Sequence, residues 1–174
     1  MMDINHSVFL GSYYQSDSSV KEPIEWIVIE KSDNCATLIS KMILFEEEFN
    51  TQRTPKWTWL ESSLRSFLNT EFVNEAFSDE DKGALVADAD GSLVFILTCQ
   101  QASTLMTEEQ RAATMTPYAR SKGIYRDNYW WVASKGYSSS DTIIVKADGY
   151  LNGDAYDRFS TSGCGVRPCV RIKI

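Results

Sequence analysis

Two cysteines near the carboxyl end of the chain are the residues whose spacing most suggests chemistry. Cys164 and Cys169 have four residues between them. Arg167 and Arg171 flank Cys169 and could lower the pKa of its thiol. Alternation along an extended strand argues against a joint site, because Cys164 falls on the same face as Val166, whereas Cys169 falls on the opposite face. An enzyme that acts through an activated Cys169 is therefore an alternative, not the first hypothesis.

The other reactive residue types exclude several classes of site. The chain of 174 residues contains one histidine, His6, so a metal site built on two or three histidines is excluded. A Ser-His-Asp or Cys-His apparatus would have only His6 as its base. The nine glycines form no phosphate-binding pattern. We predict no cofactor and no metal, and we expect Cys35 and Cys99, which lie in apolar runs, to be buried thiols.

The charge balance bears on partners. Acidic residues outnumber basic ones by 24 to 17, which gives a formal net charge of −7. Nucleic acids and anionic membrane surfaces are bound through Lys and Arg, so neither is a predicted partner. The oligomeric state is left open. The amino terminus has no basic stretch followed by an apolar run, and no apolar segment approaches the roughly 20 residues of a membrane span. As written, the sequence predicts a cytoplasmic protein, with a cell surface or a phage particle as alternatives if it is exported by another route.

A loop-rich stretch between Tyr125 and Phe159 is the strongest candidate for a ligand face. It is rich in Tyr, Ser, Asn and Asp, and tyrosine rings beside small polar groups are typical of binding surfaces. The alternative is a polar loop whose rings pack on a sheet. Trp130 and Trp131 are adjacent, so on a strand they face opposite ways, one into the core and the other as a platform. The predicted ligand-binding residues are Trp131, Tyr137, Asn152, Asp154, Tyr156 and Arg158.

Three further groups of residues have a structural and a functional interpretation. Oxygen ligands from the stretch around residues 148–157 could gather around a hard cation, but the spacing does not fit an EF-hand, and a solvated acidic turn is favoured. The run Glu46–Glu48 is interpreted as a solvated loop or helix end. Arg167, beside Gly and Pro, is interpreted as an anchor that donates hydrogen bonds to loop carbonyls. The possible cation ligands are Asp148, Asn152, Asp154 and Asp157.

Strand and helix patterns place these residues in a single α+β domain over residues 1–174. Period-two alternation or short apolar runs predict strands over 8–10, 24–30, 36–40, 93–98, 129–132, 142–145 and 166–174. A capping box predicts a helix that begins at Thr58 and pairs Glu61 with Arg65, with Leu60 on its apolar face. Further helix starts are predicted at Ser78 and at Thr107. We expect helices packed on a mainly antiparallel sheet, with a long loop-rich ligand region.

An ordered set of short motifs resembles a bacterial family of uncharacterised domains, a domain of unknown function that is common in gut Firmicutes. The resemblance runs from about residue 8 to the end of the chain. No single motif is specific, and the order of the set carries the resemblance. The motifs are Pro23–Val28, Thr58-Trp59, Ser62–Arg65, Leu68-Asn69 with Phe72, Ala76–Ser78, Thr116–Ala119, Trp130-Trp131 and Gly165–Pro168.

That family in turn resembles the C-type-lectin-like fold, which includes the formylglycine-generating enzymes and the variable proteins of diversity-generating retroelements. The resemblance implies a C-type-lectin-like domain whose ligand face lies in the loop-rich region. Two kinds of metal site occur in proteins of that fold and can be compared with this sequence. The formylglycine-generating enzymes bind copper through a cysteine pair at the spacing of Cys164 and Cys169, but their surrounding His and Tyr are absent here. The calcium motifs of sugar-binding lectins are absent as well.

These observations give a first hypothesis, a special case of it and two alternatives. The first is a non-catalytic module that binds a carbohydrate or a protein through the 125–159 loops. A special case is a diversified receptor, because Tyr, Asn, Asp and Ser codons are products of adenine-directed mutagenesis. The alternatives are a thiol- or copper-dependent enzyme and a structural or assembly domain. Fold alone does not decide among them.

Overall fold

The protein is described here from a computed structural model. The structure describes residues 3–52, 57–123, 127–151, 157–159 and 163–174, with only the backbone of 157–159. The described residues form ten strands: β1 (Ser7–Tyr14), β2 (Lys21–Lys31), β3 (Cys35–Ser40), β4 (Phe45–Glu48), β5 (Val94–Phe95), β6 (Trp130–Lys135), β7 (Asp141–Val145), β8 (Asp157–Phe159), β9 (Gly163–Val166) and β10 (Cys169–Lys173).

The helices are short and lie between the strands. A 3₁₀ turn over Trp59–Glu61 leads into α1 (Ser63–Phe67), and a π-helical segment over Leu68–Phe72 joins α1 to α2 (Val73–Ala76). The remaining helices of the described chain are α3 (Asp79–Ala84), α4 (Cys99–Leu105), α5 (Glu108–Arg111) and α6 (Pro117–Lys122). Among the described residues, no helix is long and apolar enough to span a membrane.

The strands form two five-stranded sheets instead of the single sheet that the sequence predicted. The first sheet has the order β1-β2-β3-β10-β5 and is antiparallel throughout. The second has the order β4-β9-β6-β7-β8, and its one parallel pairing joins β6 to β9. The α+β class and the predominance of antiparallel pairing are confirmed.

Two of the four segments that carry the chain between the sheets are neighbours. The first runs from β3 to β4, and the second runs from β9 to β10. Because β3 pairs with β10 and β4 pairs with β9, the two crossings lie side by side. The predicted C-terminal strand is therefore two strands, broken at Arg167 and Pro168. This break follows from Pro168, which has no N–H for the ladder.

Both sheets carry buried side chains on two faces, and this explains how the apolar residues are distributed. One apolar cluster contains Trp131, Cys164 and Val170, together with α1, α2 and the π-helical segment. The other contains Trp130 and Cys169, together with residues of α4 and α6. Adjacent residues on a strand thus enter different clusters, as strand geometry requires.

Capping patterns predicted the start of some helices correctly and of others incorrectly. The capping boxes at Ser78 and Thr107 are confirmed. The helix expected at Thr58 begins instead as a 3₁₀ turn, and the capping side chain is Ser62, which accepts from the Arg65 N–H at 3.1 Å. Leu60 is exposed, so it does not share the buried face. The strand expected over 93–98 is short, because Thr98 starts α4 with its own capping box.

Candidate functional site

The turn between β6 and β7 presents one of the predicted ligand residues, Tyr137, to solvent. Tyr137 is 88% exposed at the tip of this turn. The backbone beneath it is fixed, because the Gly136 N–H donates to the Asp141 carbonyl at 2.8 Å and the Asp141 N–H donates to Ser138 at 3.1 Å. The hydroxyl groups of Ser138 and Ser140 lie 3.0 Å apart within the same turn. The ring is therefore held out by an ordered support, which suits a binding residue.

Trp131 does not form a platform, and the sequence prediction for it is corrected. Its ring is fully buried, and its Nε1–H donates to the Glu47 carbonyl at 2.9 Å. The ring also packs edge-on against Phe49. Trp130 is equally buried on the other face of β6, where its Nε1–H donates to the Arg111 carbonyl at 3.0 Å. Both faces of β6 are covered, so neither ring is open to a ligand.

The other predicted ligand residues stay predictions. Asn152, Asp154 and Tyr156 lie outside the described residues. Arg158 lies on the edge strand β8, where its backbone is paired in register with Thr142, and its side chain is not described. The cation hypothesis depends on the same stretch. Within the described ranges, no group of three or more His, Cys, Asp and Glu residues could hold a metal ion.

The cysteine pair does not form a site, since the structure separates its two members. Cys164 is buried in the first cluster and Cys169 in the second, so the two thiols cannot meet at one copper ion. Burial raises the pKa of the Cys169 thiol far above its usual value, and the nearby Arg167 charge lowers it only in part. The expectation that arginines would activate Cys169 is therefore wrong. The thiols of Cys35 and Cys99 are half-buried, less than the sequence predicted.

Arg167 is the anchor that the sequence predicted. The side chain is 3% exposed and lies where the chain crosses between the sheets. Its Nε–H donates to the Ser40 carbonyl at 2.7 Å, and Nη1 donates to the carbonyls of Gln110 at 2.9 Å and Arg111 at 3.4 Å. Its guanidinium lies over the Trp130 ring at 5.5 Å. Burial lowers the pKa of Arg167 to about 10, so the side chain stays charged at neutral pH.

An acidic groove was missed by the sequence analysis. The run Glu46–Glu48 is part of strand β4 and is half-buried, so the prediction of a solvated loop or helix end is wrong. Glu47 and Glu48 line a groove of about 420 Å³ with Glu71, Ser66 and Phe67. Burial raises the pKa of Glu47, and the charges of Glu48 and Glu71 add to the effect, although a hydrogen bond from the Glu48 N–H opposes it. Three consecutive acids give no alternation, which hid this strand.

Comparison with known proteins finds a family model that matches part of the chain. No curated protein and no solved structure matches it. Residues 33–89 match the model of a family described as a domain of unknown function (DUF6273). The matched segment covers β3, β4 and α1–α3, and stops before the loop-rich region. It agrees with the predicted resemblance to a family of uncharacterised domains, over a shorter segment than the sequence motifs suggested.

Proposed function

We propose that the protein is a non-catalytic module that binds a carbohydrate or a protein through the β6–β7 turn and the adjoining loops. The observation that carries this proposal is the exposed Tyr137 ring on a hydrogen-bonded turn. Such a ring offers a large contact area at little cost in conformational entropy. The main catalytic alternative is thiol chemistry at Cys169, and the burial of this residue disfavours it.

We also propose a C-type-lectin-like arrangement for the domain. Two features support it, the mainly antiparallel pairing and the long segment between β7 and β9, whose described residues include the short strand β8. A diversified receptor is the special case of this proposal. A near-copy of the coding DNA for residues 125–159 beside a reverse-transcriptase gene supports that case, and a complete genome without such a copy removes it.

The binding proposal is tested with the labelled full chain on a glycan array, with and without added calcium. For protein ligands, a photo-crosslinking amino acid at position 137 captures a contacting chain. Tyr137→Ala should weaken the observed binding by roughly 30-fold, the loss expected for a central contact residue. Because the ring is exposed, unfolding stability should change by less than about 0.5 kcal/mol.

A matched control is available in Phe9, another exposed aromatic residue, which is 66% exposed on β1. Phe9→Ala should leave binding unchanged. Equal losses from the two substitutions would show that the array reports nonspecific adhesion. A homogeneous oligomer that shields Tyr137 from solvent would instead favour the structural or assembly role.

A further inference from the structure

A second pocket lies away from the β6–β7 turn, between the amino-terminal segment, β2 and α5. Its volume is about 380 Å³, within the range of small-ligand sites. The walls are largely apolar and include Ile27, Ile29 and Met106. Asn5 and Arg167 also line it. An apolar pocket with a few polar groups is the usual form of a small-molecule site.

Arg167 brings a cationic group to this pocket that the fold does not neutralise. Its three hydrogen bonds use Nε and Nη1 and end on carbonyl oxygens. Nη2 has no hydrogen-bond partner among the described residues, and no described carboxylate forms an ion pair with the guanidinium. A charge that is 3% exposed, and whose hydrogen bonds from Nε and Nη1 end on carbonyls, favours an anion at its remaining nitrogen.

Asn5 supplies a second donor, and the hydrogen bonds around it fix which end of its amide is available. The Thr107 N–H donates to Gln110 Oε1 at 2.7 Å, so Gln110 must donate through Nε2. Gln110 Nε2 donates to Asn5 Oδ1 at 2.6 Å, which leaves the Asn5 Nδ2 donors available. The Gln110 carbonyl also accepts from Arg167. Gln110 therefore contacts both Asn5 and Arg167 and brings them to one side of the pocket.

The other charges at the pocket set its selectivity. Lys41 is neutralised by Glu25, whose two carboxylate oxygens lie 3.0 and 2.9 Å from its Nζ. Glu109 lines the pocket and is exposed. One cation and one amide donor beside an acid suit a singly charged ligand better than a phosphate. The apolar walls suit a hydrocarbon chain.

We propose that this pocket binds a small aliphatic carboxylate, with its charged end at Arg167 and Asn5 and its hydrocarbon chain along Ile27, Ile29 and Met106. The site is separate from the proposed loop-borne binding face. Tyr137→Ala should therefore leave it unchanged.

The test titrates the full chain with hexanoate and, as the uncharged counterpart, hexanamide, followed by amide and arginine side-chain NMR signals. Hexanoate should bind saturably and shift the signals of Asn5, Gln110 and Arg167. Hexanamide should bind at least about 10-fold more weakly, since it lacks the charge that Arg167 requires. Equal dissociation constants, or no saturable binding of hexanoate up to about 10 mM, would overturn the proposal.

Two surface variants keep the test independent of the anchor role of Arg167. Glu109→Gln removes a negative charge at the pocket that would repel the carboxylate of hexanoate. It should tighten hexanoate binding by about 2-fold to 5-fold. Glu108→Gln is its matched control, because this neighbour makes the same change in charge but does not line the pocket. If the two substitutions tighten hexanoate binding equally, the effect comes from the change in net charge alone. That result would contradict a site at Glu109.

The third variant removes the amide donor. Asn5 has a φ of 70°, so Asn5→Gly keeps the left-handed backbone without strain. It should weaken hexanoate binding by about 3-fold to 10-fold, which is the range for one lost hydrogen bond. A thermal melt of the variant checks folding. Unchanged binding by a folded Asn5→Gly protein would remove Asn5 from the site.

Discussion

Replacing Gly165 by alanine tests a close backbone approach in the second sheet. Gly165 lies on β9, where it is in register with Trp130 of β6, and its N–H donates to the Tyr129 carbonyl at 3.1 Å. A Cβ at this position would overlap the Tyr129 carbonyl oxygen and come within 2.6 Å of Ile43 Cγ2. The nearest obstacle is a backbone atom, so turning a side chain cannot relieve the overlap fully. The two strands would have to separate.

The expected cost combines two terms. Overpacking of a buried position costs about 1–3 kcal/mol, and the weakened hydrogen bond costs about 1 kcal/mol. Gly165→Ala should therefore lower the free energy of unfolding by about 2–4 kcal/mol. For a chain of this length, the melting temperature should fall by roughly 5–15 °C.

Gly83→Ala is the matched control, because the same substitution meets open space there. Gly83 lies near the end of α3, is exposed, and has nothing within 4 Å of an added Cβ. Alanine favours the helix by up to about 1 kcal/mol, so this variant should be slightly more stable than the parent. Urea unfolding of both variants, with the slope m compared, measures the difference. A Gly165→Ala protein within about 0.5 kcal/mol of the parent would refute the close approach of β9 to β6.

Three further outcomes concern side chains that are partly or fully buried. In the folded protein, Cys169 should react with a disulfide reagent much more slowly than the half-buried Cys35. Unfolding should remove this difference. Equal rates in the folded state would contradict the burial of Cys169. Because the pKa of Glu47 is raised, the folded protein keeps this proton at pH values where the unfolded chain has lost it. The free energy of unfolding therefore falls as pH rises from the unfolded pKa to the folded pKa. Glu47→Gln should flatten this slope and raise stability at neutral pH, as measured by urea unfolding across pH. Asn69→Ala should cost about 2–4 kcal/mol in the same assay, because the side chain donates to the carbonyls of Arg65 and Val94 and accepts from two N–H groups next to and within β5.

The sequence predicted those parts of the fold that depend on local patterns. The strands β1–β3 and β6–β7 alternate or carry apolar runs, and the capping boxes mark helix starts by short-range hydrogen bonds. The anchor role of Arg167 was predicted from its place beside Gly and Pro. Each of these signals is contained in a few neighbouring residues.

The parts that could not be predicted depend on residues distant in sequence. Glu46–Glu48 becomes a strand because β9, more than a hundred residues later, pairs with it. Trp131 is buried because the first cluster covers its face of β6, a fact that no local pattern contains. Arg65 was expected to pair with Glu61 one helical turn away. It reaches instead to Ser92 and Asp90, with Nε donating to the Ser92 hydroxyl at 2.8 Å.

The motifs that carried the resemblance are mainly framework residues, and this limits what the resemblance says about ligands. Ser62 caps a helix, Asn69 secures β5, and Thr116 caps α6 while donating to the Leu44 carbonyl at 3.3 Å. Trp131 and Arg167 likewise donate to backbone carbonyls of other segments. Asn69, Thr116, Trp131 and Arg167 each join segments that are distant in sequence, so their loss would cost stability first. A chain that keeps these motifs keeps the framework. In the two proposals above, Tyr137 on its turn and Asn5 at the second pocket are contacts that the motifs omit, whereas Arg167 belongs both to the framework and to the proposed pocket.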